Sequence, residues 1–202
     1  MRKLHIGIAA AAAAGLFSVV TVHAQGGPAD PSKATGGTYK SDPFHTQVLF
    51  TYTHFGLTHN MGLASGATGT LTIDPKMPDD AKLSIDVPIS SIHTTIDALD
   101  KEFQGPMFFD AAKFPTAHFE SAKVTVNGTK AKIDGNLTIH GVTKPAEIDA
   151  TLLSVGSNPM SKKETIAFEG TATIDRTQFG VGAFAPMVSA KVELIITAAF
   201  EK

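Results

Sequence analysis

Cysteine and tryptophan are both absent from this sequence of 202 residues, and only two residues are tyrosines. Without cysteine the chain can form no disulfide bond, no thiolate metal ligand and no thiol nucleophile. A fold without disulfides must be stabilised by the burial of apolar side chains, and a chain of this length can bury a substantial core. The 13 phenylalanines are therefore the main large aromatic side chains available for a core or a binding site.

Runs of basic residues are also absent. The chain has 17 lysines and arginines against 19 aspartates and glutamates, a formal net charge of −2 with neutral histidines. Proteins that bind nucleic acid or dock electrostatically on anionic lipid carry clustered basic residues. The sequence therefore gives no support for a nucleic-acid partner.

Only one long apolar run occurs, over residues 6–22, and it follows the basic residues Arg2 and Lys3. Val22-His23-Ala24 then places small residues at the positions that a signal peptidase reads. The segment 1–24 is therefore predicted to be a secretory signal peptide cleaved after Ala24. A short transmembrane helix is the alternative. We expect the mature chain to be exported to the periplasm.

The remaining sequence divides into a short lead and one domain. Residues 25–37 are rich in small residues and show no periodicity, which predicts a flexible lead before a domain at 38–202. In the segment 130–140, apolar residues occupy every second position, which is typical of a β-strand with one buried face. The same alternation predicts strands over residues 42–55, 70–74, 82–89, 116–126, 142–155, 165–175 and 188–200. Residues 56–69 contain four glycines and are expected to form a loop.

Two local signals interrupt or connect the predicted strands. Ile96, Leu99 and Phe103 recur at intervals of three and four residues, which predicts a short helical segment near residues 95–110. Asn127-Gly128 is typical of a tight turn between antiparallel strands. The expected class is therefore all-β with about eight antiparallel strands, either closed into a barrel or folded into two facing layers.

Phenylalanine and methionine cluster in the irregular segments between the predicted strands. The two clusters are Phe103, Met107, Phe108 and Phe109, and Phe179, Phe184 and Met187. An eight-stranded barrel can hold one small ligand, and flexible methionines with bulky phenylalanines could line an apolar pocket in it. The plainer interpretation is that these side chains plug one end of the barrel.

The histidines give little support for a metal site or for catalysis. His54 is predicted on the inward face of its strand, five residues before His59, whereas a zinc site needs three or four converging ligands. His54 is then either a buried polar group with hydrogen-bond partners or a group that meets the polar end of an apolar ligand. No Gly-x-Ser-x-Gly nucleophile motif occurs. We therefore expect no metal and no catalytic residue.

Four motifs occur in order along the chain. They are Asp42-Pro43 with Val48, Phe50 and His54; Phe108-Phe109-Asp110 with Lys113-Phe114-Pro115 and Phe119; Leu137 through Pro145; and Asp175-Arg176 with Phe179-Gly180. Each motif alone is weakly specific, but the four at compatible spacing are strongly so. From about Tyr39 to Phe200 the chain resembles the YceI-like family of exported, lipocalin-like lipid-binding proteins.

The resemblance implies an antiparallel eight-stranded lipocalin-like β-barrel whose interior holds a long-chain amphiphile such as a polyisoprenoid, an isoprenoid quinone or a fatty-acid derivative. It implies no covalent cofactor, and it is compatible with a homodimer and with transient contact with a membrane or a membrane protein. Strand parity and the matched motifs together predict ligand contacts at Val48, Phe50, Tyr52, His54, Leu99, Phe103, Met107, Phe108, Phe109, Phe114, Phe119, Phe179, Phe184 and Met187.

Three positions depart from the pattern of the family. Thr53 stands where an arginine usually precedes the histidine of the opening strand. Leu99 and Glu102 stand where the helical segment usually carries an arginine and a histidine. Polar groups near the barrel mouth would meet the head group of a ligand, so the loss of these cations favours a neutral head such as a quinone, a fatty amide or a fatty ester.

The leading functional hypothesis is a periplasmic lipid carrier that performs no chemical turnover. Its alternative is a structural or stress-response module with a packed interior, which would take up no lipid. A third hypothesis is a lipid hydrolase or isomerase, whose turnover would depend on His54.

Overall fold

The structure, a computed structural model, describes residues 29–202. The predicted signal peptide, residues 1–24, and residues 25–28 of the predicted lead lie outside this range. Among the described residues, no helix is long and apolar enough to cross a bilayer.

Antiparallel strands make up most of the described chain. The strands are β1 (Gly37–Ser41), β2 (Gln47–His54), β3 (Thr58–Ala64), β4 (Thr68–Ile73), β5 (Lys82–Pro88), β6 (Thr116–Asn127), β7 (Lys130–Ile139), β8 (Val142–Ser157), β9 (Glu164–Asp175) and β10 (Lys191–Glu201). Helix α1 (Asp97–Gln104) lies between β5 and β6 and confirms the helical segment expected near residues 95–110. Short 3-10 turns occur at Pro31–Lys33, Pro78–Asp80, Ile89–Ser91 and Arg176–Phe179.

Eight strands form a closed ring in the order β1-β4-β5-β6-β7-β8-β9-β10. The ring closes where β1 pairs with β10 through Lys40↔Glu201 and Ser41↔Phe200. The β2–β3 hairpin extends the same wall, because β2 pairs with residues 193–197 of β10. This topology confirms the predicted antiparallel eight-stranded barrel, and it excludes two separate facing layers.

The expectation of a loop over residues 56–69 is wrong, because β3 and the start of β4 occupy much of that segment. Gly62 of β3 explains the difference. A Cβ atom at this position would lie 2.3 Å from Cζ of Phe50, its partner on β2. Residue 62 is glycine because an aromatic ring crosses the strand there, and not because the chain turns.

Helix α1 is tied to the barrel through the carboxylate of Asp100. This carboxylate accepts hydrogen bonds from the backbone N–H and the hydroxyl of Thr94, both at 2.7 Å, and contacts Nδ1 of His93 at 2.6 Å. The hydrogen bonds from Thr94, together with His93, hold the pKa of Asp100 below its ordinary value. His93 in turn exchanges two backbone hydrogen bonds of 2.8 Å with Leu63 of β3, so the helix is held against the edge of the sheet.

Buried side chains concentrate towards the two ends of the barrel. One cluster comprises Tyr39, Leu71, Leu152, Val155, Ile166 and Phe200. The other lies beneath α1 and comprises Ala64, Ile89, Ile92, Phe103 and Phe108. The space between these two clusters contains the candidate site.

Candidate ligand-binding site

The barrel interior contains a cavity of about 770 Å³ that is lined by side chains from β2 to β10. Sites that bind small molecules typically have volumes of about 300–1,000 Å³. The interior is therefore not filled by the side chains of the protein, which argues against the module with a packed interior.

Strand alternation and side-chain size explain why the space is apolar and empty of side chains. In β7, Ala131, Ile133, Leu137 and Ile139 face the cavity from alternate positions. Many inward positions carry alanine, whose methyl group leaves the volume that a larger side chain would fill. These alanines are Ala117, Ala131, Ala146, Ala150, Ala172 and Ala198.

Aromatic rings beneath α1 close one end of the cavity. The ring centroid of Phe103 lies 5.2 Å from that of Phe108, 6.2 Å from that of Phe109 and 6.4 Å from that of Phe50. Phe103 and Phe108 are buried and meet edge to face, an arrangement that aromatic pairs favour. All four rings line the cavity, so the same side chains plug this end of the barrel and form the inner wall.

Arg176 contributes a buried cation to the closed end. Its side chain is 8% exposed and lines the cavity. The guanidinium donates hydrogen bonds to four backbone carbonyls of the segment between β9 and β10: from Nε to Ser189 at 2.8 Å, from Nη1 to Val181 at 2.6 Å and Ala183 at 3.0 Å, and from Nη2 to Val188 at 2.8 Å. Burial lowers the pKa of Arg176 below its ordinary value. Arg176 therefore holds this segment over the end of the barrel.

The other end of the cavity is open to solvent. Several exposed residues line the cavity there, among them Pro31, Ser32, Pro75, Pro78 and Gly128. They belong to the N-terminal turn and to the β4–β5 and β6–β7 connections. The opening therefore lies between these three segments.

Glu164 holds the N-terminal turn beside this opening. Its carboxylate accepts hydrogen bonds from the backbone N–H of Thr35 at 2.9 Å, the hydroxyl of Thr35 at 2.6 Å and the hydroxyl of Tyr39 at 2.7 Å. Burial alone would raise the pKa of Glu164, but the hydrogen bonds from Thr35 and Tyr39 outweigh it and lower the pKa below its ordinary value. Lys202 adds to this anchor, because its Nζ donates hydrogen bonds to the Thr35 hydroxyl at 2.8 Å and to the Gly36 carbonyl. Glu164 and Lys202 thus join the N-terminal turn to the start of β9 and to the end of the chain after β10.

The structure brings part of the predicted ligand-binding set together. The predicted residues that line the cavity are Val48, Phe50, Tyr52, Phe103, Phe108, Phe109 and Phe119. The predicted residues that do not line it are His54, Leu99, Met107, Phe114, Phe179, Phe184 and Met187. For both groups the role as ligand contacts stays a prediction.

Three residues of the second group pack around the closed end. Leu99 packs against the buried cluster beneath α1. Phe179 is 2% exposed and contacts Ile139 in a separate buried cluster. The ring of Phe114 lies 4.7 Å from that of His140, measured between centroids. These three side chains pack against residues at the closed end and do not themselves line the cavity.

The other four residues of that group lie outside the wall. Met107, Phe184 and Met187 are each at least half exposed. His54 is half-buried, and its ring centroid lies 4.2 Å from that of Phe55 in the turn after β2. Strand parity predicted that His54, at the end of β2, faces the interior, but in the structure His54 does not line the cavity.

Sequence reasoning does not select Arg176 as a cavity residue, although the residue belongs to a matched motif. Ala172 and Ile174 face the cavity from alternate positions of β9, and one further step places Arg176 on the same face. The signal was therefore present in the strand parity. Residue type gives the opposite expectation, because a charged side chain is rarely buried in an apolar interior.

Among residues 29–202, no three His, Cys, Asp or Glu side chains converge in a geometry that could hold a metal ion. Histidines of the barrel surface instead pair with single carboxylates. The pairs are His45 with Asp42 at 2.6 Å, His93 with Asp100 at 2.6 Å and His118 with Asp86 at 2.9 Å. Each pair offers two groups, whereas a protein zinc site uses at least three.

A closed antiparallel barrel with an apolar cavity open at one end has the architecture of a lipocalin-like protein. The chain belongs to the YceI-like family, because the YceI-like domain matches residues 39–200. A UPF0312 protein of Pseudomonas paraeruginosa is 35% identical over 167 residues, which are 82% of this chain and 87% of that relative. The resemblance inferred from the four motifs is thereby confirmed.

Solved structures share the fold. BcnA from Burkholderia cenocepacia matches with a TM-score of 0.70 and 20% identity, over 79% of this chain and 98% of that one. A polyisoprenoid binding domain from Saccharophagus degradans, implicated in plant cell wall breakdown, matches with a TM-score of 0.61 and 13% identity, over 81% of this chain and 97% of that one. At these identities the likeness shows the fold alone.

Proposed function

We propose that this protein binds one long-chain amphiphilic lipid in the barrel cavity and carries it through the periplasm. The ligand class comprises polyisoprenoids, isoprenoid quinones and fatty-acid derivatives. The observation that carries the proposal is the apolar cavity of about 770 Å³ with one closed and one open end. A carrier of this kind exchanges its ligand during transient contact with a membrane or a membrane protein.

Hydrocarbon transfer supplies the driving force for binding. Each buried methylene contributes about 0.8 kcal/mol, so about twenty methylenes contribute about 16 kcal/mol before costs. Ordering of the lipid and of the side chains around it consumes a large part of this free energy. The remainder suits a carrier, which must hold its ligand in water and also release it.

The proposal includes no chemical turnover. Most of the cavity lining is aliphatic or aromatic. Its few polar side chains include Thr46, Lys130 and Glu169, and no hydrogen bond in the described part of the chain joins two of them as a nucleophile and its base. His54, on which the hydrolase hypothesis depends, does not belong to this lining. The name of the Saccharophagus degradans domain records a polyisoprenoid ligand for one barrel of this fold, which further supports binding as the function.

Native mass spectrometry tests the proposal directly. The full-length gene is expressed, and the exported protein is purified without added lipid or detergent and sprayed from volatile buffer. We expect a chain that begins at Gln25 and a second species heavier by the mass of one lipid. Protein that is empty after expression in several hosts would contradict the carrier function.

A cavity-filling variant provides a sharper test with a matched control. Ala172→Phe places a ring in the cavity, whereas Thr171→Phe places the same ring on the exposed outer face of β9. We expect Ala172→Phe to lower the amount of co-purified lipid at least about tenfold, since the ring occupies the volume of the ligand. Thr171→Phe should retain the lipid, and equal retention by both variants would place the ligand outside the barrel.

A further inference from the structure

The closed end of the cavity presents a polar donor to an otherwise apolar interior. An arginine side chain has five N–H groups, and the bonds from Arg176 to backbone carbonyls use four of them. The fifth is on Nη2, whose one bond within residues 29–202 goes to Val188. Because Arg176 lines the cavity, we infer that this remaining donor serves a molecule bound there.

The charge of Arg176 lacks a carboxylate partner in the described part of the chain, where the ion pairs involve other residues. The neighbouring Asp175 carboxylate instead accepts hydrogen bonds from the backbone N–H and the hydroxyl of Thr177, at 3.0 and 2.6 Å. A buried cation of this kind is stabilised when an anion binds beside it. The charge of the closed end therefore selects for a negative head group.

Tyr52 supplies a second donor near Arg176. Its ring stacks on that of Phe50 with centroids 6.4 Å apart, and both line the cavity. The Tyr52 hydroxyl has no hydrogen-bond partner within residues 29–202. Every buried side-chain nitrogen or oxygen in this range does have a partner, so the Tyr52 hydroxyl is not buried in packed protein. Tyr52 is joined to Arg176 through Ser189: the carbonyl of Thr53, the next residue of β2, accepts a 2.9 Å hydrogen bond from the Ser189 N–H, and the Ser189 carbonyl accepts one of 2.8 Å from Nε of Arg176.

We propose that the closed end binds the carboxylate of a long-chain carboxylic acid, which accepts hydrogen bonds from Arg176 and Tyr52. The acid enters head first. Its hydrocarbon chain then runs along the alanine-rich wall towards the opening beside the N-terminal turn. This inference rests on the proposed function, because it specifies which amphiphile the same cavity takes and in which orientation.

A carboxylate fits this end better than a neutral head group does. The residues Thr53, Leu99 and Glu102 favour a neutral head at the sequence level, but Arg176 supplies a cation from a different segment. Hydrogen bonds to an ionised acceptor are about twice as strong as neutral ones, and a low-dielectric interior strengthens the attraction further. The ionised acid therefore gains more from Arg176 than an ester, an amide or a quinone.

The same donors disfavour phosphate and diphosphate heads. One N–H and one O–H group can satisfy a carboxylate, whereas a diphosphate would bring further negative charges into the cavity without partners. Buried charges without partners cost several kcal/mol each. The surrounding rings of Phe103 and Phe108 offer apolar contacts only.

Competition between palmitate and methyl palmitate tests the head-group preference, since the two share a hydrocarbon chain and differ in charge. Affinities are measured at neutral pH by displacement of a fluorescent apolar probe from the delipidated exported protein. We expect palmitate to bind about 10- to 100-fold more tightly, the range for a hydrogen bond to a charged group. Equal affinities, or tighter binding of the ester, overturn the inference and leave the lipid-binding function standing. Failure of both compounds to bind contradicts the proposed function itself.

Carbon-13 NMR of carboxyl-labelled palmitate gives an independent readout of where the head lies. Beside Arg176, the pKa of the palmitate carboxyl should fall about 1–3 units below that of palmitate in micelles. An unchanged or raised pKa would place the carboxyl away from Arg176 and overturn the head-first orientation.

Tyr52→Phe removes one donor and keeps the ring, whereas any replacement of Arg176 also releases four backbone carbonyls. We expect Tyr52→Phe to lower the preference for palmitate over methyl palmitate about 3- to 10-fold. Tyr39→Phe is the matched control, because the Tyr39 hydroxyl bonds to Glu164 and does not line the cavity. Its preference should equal that of the wild type. An unchanged preference in Tyr52→Phe overturns the role of Tyr52.

Discussion

The two ends of the barrel are built by different means. At the closed end, the rings beneath α1 interlock, and Arg176 binds four backbone carbonyls of the segment that covers it. At the open end, a short N-terminal turn lies beside the opening and is fixed by hydrogen bonds to Glu164 and Lys202. A buried cluster around Tyr39 and Ile166 packs at the open end as well, so the two ends differ in the segments that cover them. The rings beneath α1 are buried, whereas the residues of the N-terminal turn are mostly exposed, which predicts a lower local stability for the turn. We expect the closed end to open only when the barrel unfolds, and the open end to release its turn within the folded state.

Arg176→Ala should give the largest effect and tests the closed end. The substitution leaves one buried and three partly buried carbonyl groups without their donor, and an unsatisfied buried group costs about 1–3 kcal/mol, with less for the partly buried ones. We expect the free energy of unfolding to fall by about 3 kcal/mol or more. Equilibrium unfolding in urea measures it, and a loss below about 1 kcal/mol would mean that the packed rings alone fix this end.

Gly62→Ala should give the next largest effect at the closed end. The added Cβ meets the ring of Phe50, and a ring that packs on Phe103 has little freedom to move. Overpacking of this kind costs about 1–3 kcal/mol. Gly156→Ala in β8 is the matched control, because a Cβ there meets no atom within 4 Å. Equal stabilities of the two variants in urea would show that the Phe50 ring yields freely.

Glu164→Gln should give a smaller effect and tests the open end. The pKa of Glu164 is lowered in the folded state, so its ionised form stabilises the fold above the ordinary pKa of 4.5, and this contribution is lost as the pH falls below that value. We expect the free energy of unfolding of the variant to be about 1 kcal/mol lower than that of the wild type at neutral pH, a value kept small because Glu164 is partly exposed. In acid, the two proteins should be equally stable. Urea titrations across this pH range measure the difference. A gap between the two proteins that persists in acid would assign the effect to packing.

Lys132→Met should give the smallest effect and provides a baseline for both ends. Lys132 and Glu147 form a 2.8 Å ion pair on the outer wall, with side chains 51% and 48% exposed. Exposed pairs of this kind contribute about 0–1 kcal/mol. Urea unfolding measures the effect. If Lys132→Met lowered the free energy of unfolding more than Glu164→Gln does, the expected order of the closed end, the open end and the outer wall would be wrong.

The alternation of side chains predicted the wall of the barrel well, because it depends only on the two-residue period of a strand. Val48, Phe50 and Tyr52 reach the cavity as their parity predicts. The same rule fails at His54, where the strand ends and the chain turns away. Close packing across strands was not predictable from sequence either. Residue 62 of β3 must be glycine because the Phe50 ring of β2 occupies the space of a side chain there.

The segments without periodicity account for the remaining differences. Met107 and Phe184 lie in connections where neither a strand nor a helix fixes the direction of a side chain, and both are exposed. Arg176 is the reverse case, because an arginine is expected to be exposed and this one is buried. The carbonyls that accept its hydrogen bonds and permit its burial belong to residues up to thirteen positions later in the chain. Local sequence therefore predicted the lining of the wall better than the covering of its ends.

The ring of eight strands is joined between β1 and β10 by Lys40↔Glu201 and Ser41↔Phe200, whereas β9 pairs with β10 along its whole length. The wall therefore has a seam, at which the strands separate with the loss of few hydrogen bonds. If the cavity binds lipid as proposed, separation of β1 from β10 would widen the tube while its long pairings persist. Under that proposal, a single barrel would have room for hydrocarbon chains that are straight, branched or kinked.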